Sequence, residues 1–92
     1  MNERGDKMRE VTYYLADNCG NIILMKRVRD PKKGIFTGYI WNPHKWVEAW
    51  ELCCDYFYGY EPAKVTDEDG AKAYMVEAGV TEEQAEEFLK ED

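Results

Sequence analysis

The sequence predicts an α+β fold: a three-stranded antiparallel β-meander packed against one long helix, with two short helices at the C-terminal end. Three observations carry this. The N-terminal half holds three runs of β-branched and aromatic residues separated by turn clusters, Asn42-Pro43 opens a stretch of helical spacing, and two Thr-led capping patterns follow it. A chain of 92 residues, 45% hydrophobic and 14% aromatic, is long enough for one core and too short for two. Residues 1–10 therefore read as a polar tail and residues 11–92 as a single domain.

The first strand is expected at about 11–16, where Val11-Thr12-Tyr13-Tyr14 favours extended backbone. Asp-Asn-Cys-Gly-Asn then marks a hairpin, with Gly20 supplying the positive φ of a type I turn with a bulge and Cys19 at its tip. A second strand is expected at about 22–28. After Asp30-Pro31-Lys32-Lys33-Gly34 a third follows at about 35–41, and Gly38 in its middle suggests a bulge or a close helix contact.

Asn is a favoured N-cap and Pro a favoured first helical residue, so the long helix is expected at about 43–58, ending at Gly59. Trp46, Trp50, Cys53 and Phe57 would form its sheet-facing stripe, with Val47 and Cys54 beside it and Glu48, Glu51 and Asp55 facing water. Glu61 to Val65 reads as an extended connector that can add a short strand, which Pro62 would hold at an edge. Helices at about 67–78 and 82–90 follow, each led by a Thr (Thr66, Thr81) with an acidic or amide partner three residues on, and with Val80 placed to staple onto Ala85.

Charge divides the chain more sharply than the net value of -7 suggests. Residues 1–50 carry nine basic and six acidic side chains, a balance of +3, while the remainder carries three and thirteen, a balance of -10. So acidic a chain is poorly suited to gripping nucleic acid or an anionic membrane as its main task. No run of about 18 apolar residues supplies a membrane span, and Met1 to Glu10 lacks the apolar region of a signal peptide, so a cytoplasmic location is expected. Cys19, Cys53 and Cys54 then read as free thiols.

Candidate chemistry is thin. Adjacent helical cysteines point about 100° apart, so Cys53 and Cys54 read as packing residues rather than a redox or metal pair. His44, the only histidine, reads as a helix-start residue paired with Glu48 one turn on. No phosphate loop, cofactor motif or four-ligand metal set is present in the sequence, so no catalytic residue, cofactor or metal is assigned and the protein is expected not to be an enzyme.

Nine aromatics fall between residues 36 and 60, more than a small core needs. Tyr56, Tyr58 and Tyr60 are candidate contacts for a partner, or else cover the seam where the last two helices dock. With the helical carboxylates Glu82, Glu83, Glu86 and Glu87 they describe a protein-protein interaction module for a partner with a basic surface. A second reading places nucleic acid on the basic run Lys26, Arg27, Arg29, Lys32 and Lys33, near Tyr39 and Trp41, against the alternative of a solvated hairpin arm. A third makes Cys19 the thiol of a small enzyme. A homodimer, basic half on acidic half, also fits the charge pattern.

Asp17 to Ile22, Tyr39-Ile40-Trp41-Asn42 followed by Trp46-Val47-Glu48, Tyr58 to Pro62, and Val65 to Asp69 together resemble small uncharacterised proteins of bacteria and their phages, over about residues 11–80. The resemblance implies an accessory protein of a mobile element and transfers no catalytic residues. A phage-type inhibitor whose carboxylates imitate phosphates is one form of it.

Overall fold

A computed structural model describes residues 10–42 and 44–90. The chain runs β1 (Glu10–Asn18), β2 (Asn21–Asp30), β3 (Ile35–Asn42), β4 (Lys45–Glu48), α1 (Trp50–Phe57), β5 (Ala63–Thr66), α2 (Glu68–Glu77) and α3 (Glu82–Lys90). The strands form one antiparallel sheet in the order β4-β3-β2-β1-β5. All of the expected tail except Glu10, and the expected helix start at Pro43, lie outside the described residues.

The expected three-stranded meander under one long helix is replaced, among the described residues, by five strands and three short helices. Successive strand residues point to opposite faces, and both faces are covered. Tyr13, Leu24 and Trp41 pack with Ala71, Met75, Val80 and Ala85 of the α2–α3 side. Their neighbours Tyr14 and Met25 pack with Cys53 and Tyr56 of α1.

The correction centres on residues 43–58. Asn42 pairs with Lys45 and Trp41 with Trp46, so the chain reverses into a hairpin, with His44 at φ 69. Trp46 and Val47 suit a strand as well as a helix. The helix starts only at Trp50, whose backbone N–H donates to the Glu48 carboxylate at 2.9 Å, while Ala49 at the N-cap offers no side chain. The expected stripe is thus divided between two layers. Trp46 packs toward α3, and Cys53 and Phe57 pack on the other face of the sheet. His44 accordingly stands edge-on to Trp41, with ring centres 6.3 Å apart, and is not one helical turn from Glu48.

Other local expectations change by a residue or two. Asn18 pairs with Asn21, so the first hairpin closes on Cys19 (φ 54) and Gly20 (φ 89) alone, a mirror-type turn rather than a bulged type I. The Asp17 carboxylate accepts from the Gly20 N–H at 2.9 Å. α2 is capped by Asp67, which accepts from the Gly70 N–H at 2.8 Å, and not by Thr66. α3 has the reciprocal box expected of it: the Gln84 N–H donates to Thr81 Oγ1 at 3.1 Å, and the Thr81 N–H to Gln84 Oε1 at 3.0 Å.

Between these helices Gly79 (φ 114) permits the tight corner. The Val80 N–H reaches the Met75 carbonyl and the Gly79 N–H the Val76 carbonyl, a Schellman pattern that ends α2 and buries Val80 beside Met75. β5 lies at the sheet edge beside β1, where Pro62 precedes it.

Candidate functional site

Alternation along β2 disperses the basic run. Lys26 points to the α2–α3 face and is 2% exposed, its ammonium 4.4 Å from the Trp46 ring centre and 5.2 Å from that of Tyr39. Arg27 points the other way, over Phe36 at 5.0 Å and Tyr14 at 5.9 Å. Arg29 pairs with Glu10 at 3.4 Å, and Lys32 and Lys33 are exposed in the β2–β3 turn, where Asp30 accepts from their backbone N–H groups. The expected basic patch is therefore not one surface.

The aromatic candidates also separate. Tyr56 is buried, at 8% exposure, because it falls one turn after Cys53 on the sheet-facing side of α1. Burial first, then the charges of Glu61, Cys19, Asp17 and Asp55, push its hydroxyl above the ordinary tyrosine range. Tyr58 and Tyr60 are exposed, at 62% and 78%. They leave the C-terminal end of α1, across the sheet from α2 and α3, so they neither cover the seam of those helices nor share a face with them.

The carboxylates of α2 and α3 are the charged groups that the fold brings together. Glu82, Glu83, Glu86 and Glu87 are all exposed on α3, with Glu68 and Asp69 at the start of α2. Lys72 crosses between the helices, 2.8 Å from Glu86 and 3.9 Å from Glu82, and Lys90 lies 3.7 Å from Glu87. The hydrogen bond from Lys72 holds the Glu86 carboxyl below its usual range, and the same bond raises Lys72. From Asp67 to Lys90 eight carboxylates face two lysines, so the surface keeps a strong negative excess.

The three thiols lie in different settings. Cys53 is fully buried against Gly38, and burial, with smaller contributions from Cys54 and Glu48, pushes its thiol up to about 12. The Cys54 thiol donates to the Glu51 carbonyl at 3.4 Å. Cys19 is exposed at the tip of the β1–β2 hairpin. Among the described residues no group of three His, Cys, Asp or Glu is placed to hold a metal ion, and no helix is long and apolar enough to cross a membrane.

One feature was missed by sequence reasoning. At the start of β5 a largely apolar groove of about 460 Å³ is lined by Leu15, Asp17, Ile22, Pro62, Ala63 and Lys64. Pro62 before a short Ala-Lys-Val-Thr strand was its sequence signal, but the pairing of Leu15 with Lys64 needed the fold. Comparison with known protein families, curated proteins and solved structures finds no match for this chain.

Proposed function

We propose that the protein is a non-enzymatic interaction module whose α2–α3 surface receives a partner with a basic surface. The observation that carries the reading is the exposure of Glu82, Glu83, Glu86 and Glu87 along one short helix, with Lys72 and Lys90 as the nearby counter-charges. Such a surface speeds encounter with cationic groups and selects against anionic ones. In the form suggested by the resemblance to phage accessory proteins, it acts in the cytoplasm by occupying a groove that otherwise takes nucleic-acid phosphates.

Nucleic acid is the weaker reading, because burial of Lys26 and the opposed directions of Lys26 and Arg27 leave no continuous basic platform. The test is titration of the isotope-labelled chain with a short capped peptide of alternating Lys and Gly. Signals of Glu82 to Glu87 are expected to move, and the shifts should shrink as salt rises and the Debye length falls toward about 8 Å. Joint Glu83→Gln and Glu87→Gln substitution should weaken the complex several-fold. Salt-independent binding, or binding unchanged in the double variant, would refute the reading.

A further inference from the structure

We infer that the β5 edge is a strand-addition site for an extended segment of alternating apolar and basic residues, a contact surface separate from the α3 carboxylates. Among the described residues β5 has β1 on one side and no strand on the other. An edge strand directs every second N–H and C=O pair outward, ready to pair with another chain. The two faces of this edge differ in chemistry.

On the α2–α3 face, Lys64 stands opposite Leu15, and the groove formed with Ile22 and Pro62 opens beside the edge. Ile22 is 50% exposed, so the groove has unsatisfied apolar surface. The Lys64 ammonium sits on a flexible stem and can remain in water while apolar atoms enter. A residue added opposite Lys64 would direct its side chain to this face, and an aliphatic one fits.

On the α1 face the surroundings are acidic. Asp55 and Glu61 act together on Tyr56, the Glu61 N–H is bonded to the Asp55 carbonyl, and exposed Tyr60 and Glu61 lead directly toward β5. Alternate residues of an added strand would be directed to this acidic face, which suits Lys or Arg. A second copy of the chain fits poorly. Antiparallel pairing of β5 with itself would set Glu61 of one chain against Asp67 or Glu68 of the other, like charges at both ends of a very short strand.

The probe is a short capped peptide of alternating Lys and Val, added to the isotope-labelled full chain. Amides of Ala63 to Thr66 should shift and gain exchange protection, together with shifts at Leu15 and Ile22. Two isomers of the peptide, N-methylated at one or the other set of alternate amides, separate strand pairing from simple attraction. One isomer should bind roughly tenfold or more weakly, about 1.4 kcal/mol, and the other nearly as well as the parent. Equal binding by both isomers and the parent would overturn the inference. Shifts confined to α3 with both the Lys-Val and Lys-Gly peptides would overturn it while leaving the acidic-face reading intact. Concentration-dependent dimerisation that protects β5 without peptide would overturn it in favour of a second copy.

Discussion

The indole Nε1 of Trp46 donates to the Phe88 carbonyl oxygen at 3.0 Å, tying the edge strand β4 to the last turn of α3. Trp41, its cross-strand partner, packs edge-on to Phe88 and Tyr74, yet its buried Nε1 has no hydrogen-bond partner among the described residues. The two indoles therefore differ in what removal of the N–H would cost. Trp46→Phe should lose about 0.5–1.5 kcal/mol from the missing bond in addition to any change in packing. Trp41→Phe removes a donor that is already unsatisfied and should be the milder change. Urea unfolding of both variants checks this, and a larger loss for Trp41→Phe would contradict it.

Gly38 makes the approach of α1 possible. A Cβ there would lie 2.8 Å from both the Cys53 Cβ and the Phe57 ring, closer than such atoms pack. Gly38→Ala should destabilise the fold by about 1–3 kcal/mol through overpacking, although alanine suits a strand better than glycine does. Adding Cys53→Gly to the variant should restore part of the loss if the clash is its cause. The midpoint of chemical unfolding measures both effects.

The close contact at Gly38 was legible in the sequence as a glycine interrupting a strand, and so were three strands and the two C-terminal helices. Residues 45–48 were not, because Trp46, Trp50, Cys53 and Phe57 satisfy helical spacing while serving opposite faces of a sheet. Spacing records which residues are apolar, not which layer receives them. Crowding near Phe57 left open whether Tyr56, Tyr58 and Tyr60 form a contact surface or cover the seam of the last two helices, and the register of α1 decides it: Tyr56 faces inward while Tyr58 and Tyr60 are exposed. The basic run, open to reading as a nucleic-acid platform or as a solvated hairpin arm, poses the opposite problem. Its strand alternation already placed Lys26 and Arg27 on different faces, and charge density alone concealed that.

Burial of Cys53 has a chemical consequence. With its thiol raised from the ordinary 9.0 to about 12, iodoacetamide at about pH 8.5 should modify exposed Cys19 and leave Cys53 intact until denaturant is added. The unfolded chain loses this proton first as pH rises, so the thiol's contribution to stability falls between its ordinary and raised values. Mass spectrometry after timed alkylation tests the first statement. Equal labelling of Cys19 and Cys53 in the native protein would contradict it.

The Lys72–Glu86 pair sets a broader pH range. The lowered Glu86 carboxyl contributes stability above the usual carboxylate value near about 4.3, lost as pH falls through its folded value. Raised Lys72 contributes below its usual value near about 10.4, lost as pH climbs through its folded value. Between those limits the pair should be insensitive to pH. Carboxyl-carbon NMR titration should find the Glu86 midpoint moving upward in Lys72→Met, and an unchanged midpoint would show that the bond does not set it.

The acidic-module account turns on the sign of the partner's charge. Its most direct test is a paired titration of the labelled chain at low salt, with the Lys-Gly peptide in one series and a single-stranded oligonucleotide in the other. The expected result is salt-sensitive movement of Glu82 to Glu87 with the peptide and a silent spectrum with the oligonucleotide. Movement of Arg27 to Lys33 with the oligonucleotide, and none with the peptide, would contradict the account.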